Sequence, residues 1–175
     1  MNILITINKL FYMSLNRNKS IVYILFIFLS LAGCKTNIYY NKVYSFKNEI
    51  WKLEDIKSFN VNIDDTNSLY DIFINLRNTG AYPYQNIFLF ITIYAPINYY
   101  YTDTLEILLA DEMGKWYGKG IGNNFYQKAP FKKNVKFPYR GIYRFDIQHG
   151  MRFDELKGIS DLGLTIEKKI ISQKK

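Results

Sequence analysis

From Ser58 onward, apolar and polar residues alternate in short blocks along the chain. In "SFNVNID", Phe59, Val61 and Ile63 fall on one side and Ser58, Asn60 and Asn62 on the other. "LYDIFINLRN" repeats the pattern with Tyr70, Ile72, Ile74 and Leu76, and runs into the turn residues Asn78-Thr79-Gly80. A period of two places successive side chains on opposite faces of a strand, so each block predicts a strand with one buried face. "NIFLFITIYAP" is apolar at nearly every position, which predicts a central strand ended by Pro96. "DTLEILLAD", "KKNVKFP", "RGIYRFDIQHG" and "ISDLGLTIEKK" continue the series, and an edge strand is expected near Tyr39 to Tyr44. About eight short strands at regular spacing, with no helical period, predict an antiparallel β-sandwich. An outer-membrane barrel is disfavoured, because the strands are few and lysine-rich loops replace aromatic girdles.

Before these blocks the pattern differs. Ile21 to Ala32 is an apolar run of about 12 residues, interrupted only by Ser30 and shorter than the roughly 20 needed for a membrane-spanning helix. Arg17 and Lys19 precede it, and Leu31-Ala32-Gly33-Cys34 closes it. A basic stretch, an apolar run and small residues in that order form a secretory signal. Leu-Ala-Gly-Cys resembles the bacterial lipobox, in which the thiol receives diacylglycerol, the chain is cut before it, and the new amino group is acylated. Cys34 is the chain's one cysteine, so no internal disulfide can form. The expected organisation is a signal peptide over 1–33 (with Met13 a better start than Met1), an acylated Cys34 with tether and edge strand over 34–57, the sandwich over 58–170, and a basic tail over 171–175.

Composition narrows the possibilities. Removing 33 of 175 residues leaves 142, enough for a single core. The leader carries Lys9, Arg17 and Lys19, so twenty bases remain against fifteen acids and the net charge falls from +8 to +5. These bases are dispersed, which excludes the stripe or module that nucleic-acid recognition needs. The chain has 16 Tyr and 13 Phe, residue types suited to a half-buried pleated surface.

Catalytic and metal chemistry find little to work with. His149 lacks a second histidine or a neighbouring cysteine, so it reads as structural or as a surface residue and not as a transition-metal ligand. The acid pairs Asp64-Asp65, Asp111-Glu112 and Asp154-Glu155 each fall in a turn, where carboxylates bond local backbone. A hydrolase would need two separated carboxylates to converge in a cleft. "GKWYGKGIG", Gly114 to Gly122, lacks the order of a phosphate loop. Its Trp116 and Tyr117 serve either tight packing or a binding surface. No small-molecule substrate, cofactor or metal is implied beyond the covalent lipid on Cys34.

"LYDIFINLRNTGAYPYQNIFLFITIYAP", "DTLEILLADEMGKWYGKGIG", "KNVKFPYRGIYRFDIQHGMR" and "GISDLGLTIEK" together resemble the GldH family, gliding-motility lipoproteins of Bacteroidetes-type bacteria. The similarity runs from about Val43 to Lys168, with "LRNT" followed by "YPY", "DTLE", "GKWYGKG" and "DLGLTIEK" as its most specific pieces. The resemblance implies a non-enzymatic envelope lipoprotein needed for gliding and linked to type IX secretion. Its partners would be the membrane, through the N-terminal lipid, and other gliding or secretion proteins. Lys35, Thr36 and Asn37 carry neither an acidic export cluster nor a retention aspartate next to the cysteine, which by resemblance to those sorting signals places the protein on the periplasmic face of the outer membrane. Candidate partner contacts are Arg77, Asn78, Trp116 and Tyr117. The alternative is a glycan- or peptidoglycan-binding lipoprotein that uses the same aromatics, with Tyr99-Tyr100-Tyr101 as a platform.

Overall fold

A computed structural model describes residues 37–169. The signal peptide, Cys34 and the tail over 171–175 lie outside the described residues. Ten strands are present: β1 (Ile38–Ser45), β2 (Ile50–Lys52), β3 (Lys57–Ile63), β4 (Tyr70–Thr79), β5 (Asn86–Tyr94), β6 (Tyr100–Leu108), β7 (Asn124–Val135), β8 (Gly141–His149), β9 (Glu155–Lys157) and β10 (Ile159–Lys168). One sheet has the order β1-β10-β4-β7 and the other β3-β8-β5-β6, each antiparallel throughout. The expected sandwich is present, and a two-stranded ribbon, β2-β9, is added to it.

The alternating blocks explain the core. Phe59, Val61 and Ile63 of β3, Ile72, Ile74 and Leu76 of β4, and Tyr143, Phe145 and Ile147 of β8 all point between the sheets and are buried. Each such side chain contributes about 1.5–3 kcal/mol by leaving water. β10 lies in the middle of its sheet, where Leu162, Leu164 and Ile166 fill the core opposite β4. β7 is a sheet edge, which accommodates Pro130 because its missing N–H costs no ladder bond there. Lys128, Lys132 and Lys133 on the same strand discourage a foreign strand from adding to it.

Side chains close both open flanks. On the β1/β3 flank, the Tyr39 hydroxyl donates to the Asn62 carbonyl and to Asp64, and the Tyr44 hydroxyl donates to the Ser58 carbonyl. On the β6/β7 flank, Gln127 donates to the Leu108 carbonyl at 2.9 Å and Lys132 pairs with Asp103. In the β3–β4 turn, Lys168, the Ser68 hydroxyl and the Asn67 N–H surround the Asp65 carboxylate and hold it well below the usual carboxylate pKa.

The chain enters and leaves at one end. Asn37 accepts a bond from the Lys168 N–H at 2.8 Å, and this end also carries the β3–β4, β5–β6 and β7–β8 connections. The opposite end carries the β4–β5 turn, the long β6–β7 loop and the β2-β9 ribbon. At about 3.3 Å per residue, the ten residues of β4 separate the two ends by roughly 33 Å.

His149 packs beneath the ribbon. It is fully buried, edge-on to Trp51 at 5.3 Å, and neither ring nitrogen has a hydrogen-bond partner among the described residues. Burial holds its pKa below the ordinary value of 6.5, while the charge of Asp154 pulls weakly the other way. The unfolded chain therefore takes up a proton near 6.5 that the folded chain refuses. Stability is expected to hold above that pH and to fall below it, by at most about 1.4 kcal/mol per pH unit, until the folded value is reached. Urea denaturation at about pH 7.5 and about pH 5.5 measures the slope, and His149→Phe, which cannot take a proton, should flatten it.

Candidate functional site at the end opposite Asn37

The β6–β7 loop is the longest connection among the described residues, and local bonds fix it from Leu109 to Lys119. Leu109 and Ala110 donate their N–H groups to the Gln85 carbonyl, and the Gln85 side chain donates to the Asp111 carbonyl at 3.0 Å. The Asp111 carboxylate accepts from the N–H groups of Met113 and Lys115, an acid doing turn work as its position in the sequence suggests. Ala110 bridges to Trp116 and the Tyr117 N–H donates to the Leu109 carbonyl at 2.8 Å, so the loop folds back on itself as a short ribbon. It then pairs Lys119 with Tyr126 of β7.

Two glycines permit that approach. A Cβ on Gly120 would lie 1.6 Å from the Asn124 carbonyl oxygen, and one on Gly118 would lie 2.9 Å from the Phe125 Cβ. Either would push the ribbon off β7.

Trp116 and Tyr117 have separate roles. Trp116 is half-buried, stacks on Phe125 at 5.5 Å and packs against the core. Tyr117 is 55% exposed, and Met113 and Ile121 on the same loop are each 93% exposed. Between the loop and the ends of β5 and β6 is a hollow of about 670 Å³ whose walls include Pro83, Tyr84, Leu108, Glu112 and Tyr117. A nearby stack, Tyr84 on Phe153 at 5.7 Å, extends the aromatic surface. A hydrogen-bonded ribbon that exposes Met113, Tyr117 and Ile121, with Tyr117 on the wall of the hollow, can dock a protein surface at little ordering cost.

The β4 candidates separate by face. Asn78 is 1% exposed and points inward, where its side-chain amide donates to the Thr79 carbonyl at 3.3 Å. Arg77 is exposed and pairs with Asp161 at 2.9 Å, and Asp161 also accepts from the Ser45 hydroxyl. Opposite Arg77 in register is Tyr126, whose hydroxyl starts a relay across the outer face through Asn75, Thr165 and Asn41. Arg77 and Trp116 thus flank β7 near the same end of the sandwich, with Tyr126 and Phe125 between them.

The three tyrosines before "TDTLE" do not form one platform. Tyr100 faces outward and stacks on Tyr94 at 5.5 Å, whereas Tyr99 and Tyr101 turn to the other side and line a cavity at the Asn37 end. Strand alternation dictates this split, since Tyr100 opens β6 opposite Tyr94. Met113, Ile121 and Phe153 are members of the surface that the sequence did not single out, and their scattered apolar side chains in turns give no periodic signal.

The fold and this surface define an all-β sandwich with an exposed apolar loop at one end and the point of chain entry at the other. The family model described as "GldH lipoprotein" matches residues 38–166, so the chain belongs to the GldH lipoprotein family. It is 33% identical over 156 residues to the gliding motility lipoprotein GldH homolog of Christiangramia forsetii, covering 85% of this chain and 95% of that one. It is 31% identical over 133 residues to the gliding motility lipoprotein GldH of Flavobacterium johnsoniae, covering 72% of this chain and 82% of that one. A solved structure of infectious bursal disease virus Gx strain overlaps 79% of this chain and 32% of its own at 15% identity, with a TM-score of 0.30, too low to bear on fold or function.

Proposed function

We propose that the protein is a non-enzymatic assembly subunit of the gliding machinery and its associated type IX secretion apparatus, held by a lipid on Cys34 at the periplasmic face of the outer membrane. Relatives named as gliding motility lipoproteins, matched over most of their length, support the process. The observation that carries the assembly role is the β6–β7 ribbon, with Met113, Tyr117 and Ile121 exposed on a backbone that hydrogen bonds immobilise. An anchor before Asn37 would leave that ribbon roughly 33 Å farther from the membrane, within reach of other envelope proteins. Tyr117 acts as the aromatic contact, Trp116 holds the ribbon to Phe125, Arg77 contributes at the flank, and Asn78 supports the strand end.

Affinity purification from cross-linked cells tests this reading. Tyr117→Ala should weaken recovery of gliding or secretion components by about 2 kcal/mol of affinity, roughly thirtyfold, as for an aromatic hot spot. Its exposure predicts a change in folding stability within about 0.5 kcal/mol. Unchanged recovery from Tyr117→Ala cells would remove the ribbon from the interface.

A further inference from the structure

The end of the sandwich where the chain enters carries its own unassigned surface. A cavity of about 430 Å³, within the size range of ligand sites, opens there between the β5–β6 and β7–β8 connections. Ile72, Ile93, Phe137 and Tyr143 form an apolar floor continuous with the core. Its rim is apolar as well as exposed: Ile97 is 51% and Tyr99 60% accessible, and Tyr139 and Lys136 stand beside them. The two connections are packed together, since a Cβ on Gly141 would lie 3.0 Å from Pro96.

Charge on this end follows a pattern. Of its acids, Asp65 is neutralised by Lys168, Asp71 by Lys169 and Asp103 by Lys132, while Asp64 accepts from the Tyr39 hydroxyl. Lys133, Lys136 and Arg140 make no ion pair among the described residues. The surface is therefore apolar at its centre and basic at its edge, with tyrosine between, the arrangement that interfacial lipid contacts favour. The chain's path points the same way. Three residue steps separate Cys34 from Asn37, at most about 11 Å when fully extended.

We infer that this end rests on the bilayer and that the cavity takes an acyl chain of an anionic membrane lipid, its headgroup met by Lys136, with Lys133 and Arg140 on the same end of the sandwich. The inference rests on the reading of Cys34 as the lipid attachment site, because the short tether is what presses this end against headgroups. The protein is thereby held upright, with the β6–β7 ribbon directed away from the membrane, instead of swinging on its anchor.

The test uses the full protein purified from membranes, with intact mass reporting acylation at Cys34. The protein is reconstituted in phosphatidylcholine vesicles doped with phosphatidylglycerol that carries a photoreactive acyl chain, and cross-links are mapped by peptide mass spectrometry. Labelling should concentrate within residues 93–101 and 135–143, spare 109–123, and fall more than about fivefold in Lys136→Glu, the scale of one basic side chain at an anionic surface. Ala95→Trp, which fills the cavity, should remove the same labels, and Lys136→Glu, on an exposed position, keeps the test valid if that variant does not fold. Labelling spread over both ends, or unaffected by Lys136→Glu, overturns the inference even where acylation is present. Concentrated labelling on a protein without an acyl group would uphold the lipid-binding end and overturn the anchor.

Discussion

Replacing Trp51 by alanine is expected to cost about 3–5 kcal/mol of folding stability. The side chain is fully buried in β2, stacked on Phe46 at 4.9 Å and edge-on to His149, and its indole N–H donates to the Asp55 carbonyl at 3.0 Å. The interior sandwich strands β4, β5, β8 and β10 are each held by two ladders, but the ribbon of β2 and β9 has three residue pairs and depends on this ring for attachment. Alanine would open a cavity next to an already unpartnered His149 and leave the Asp55 carbonyl without its donor. A loss of that size is a large share of the roughly 5–15 kcal/mol that a domain possesses. Thermal melting should shift down on the order of 15 °C. Trp51→Phe, which keeps most of the packing and loses the N–H, should lie well between the two.

The second large effect is expected at Gly158, between β9 and β10. Its φ of +81° is a conformation that side chains disfavour, and a Cβ there would lie 2.3 Å from the Tyr82 backbone nitrogen and 2.8 Å from the Ala81 carbonyl carbon. Those neighbours are backbone and cannot rotate away. Gly158 also donates to the Glu49 carbonyl and accepts from the Thr79 N–H, both at 2.8 Å, so a displaced residue 158 disturbs three segments together. Gly158→Ala should therefore destabilise by about 3 kcal/mol, combining the left-handed conformation with the close approach. Gly114→Ala is the informative comparison: its φ is also +81° but nothing lies within 4 Å of the added Cβ, so only the conformational part, about 1–2 kcal/mol, should be lost. Chemical denaturation of both variants separates the two contributions.

These positions also mark how far the sequence discloses the fold. β3 and β4 were legible because one face of each is buried and the other wet, which writes a period of two into Phe59, Val61 and Ile63 and into Tyr70, Ile72, Ile74 and Leu76. β5 was legible as central, yet its all-apolar pattern suggested cover on both faces. Phe88 and Phe90 instead stand on an open outer face. β7, the longest strand, is legible only at its C-terminal end, where "KKNVKFP" overlaps it over Lys132 to Val135: glycines precede it, Pro130 interrupts it, and an edge strand facing solvent needs no clean alternation. β2 and β9 are too short to carry a period, so Trp51, which fixes them, gave no strand signal of its own.

The candidate site was legible in part for a related reason. The glycine spacing around Trp116 and Tyr117 signalled a tight backbone but could not say which ring faced inward, since that depends on Phe125, eight residues beyond Tyr117. In the sequence Asn78 opens the turn signal Asn78-Thr79-Gly80 after the strand, whereas β4 extends through Thr79 and alternation from Leu76 sets Asn78 on its inner face. The cavity at the Asn37 end draws on β4, β5, β6 and the β7–β8 connection at once, and no local stretch of sequence contains it.

Anchoring through Cys34 and the proposed assembly role meet in one experiment. Cells, wild type and Cys34→Ala, are labelled with a clickable palmitate analogue, and the proteins that co-purify with the labelled chain from the membrane fraction are identified. Label should depend on Cys34 and bring gliding or type IX secretion components with it. A wild-type chain that takes up no label would overturn the lipid anchor, and a labelled chain that comes down without those components would overturn the assembly role.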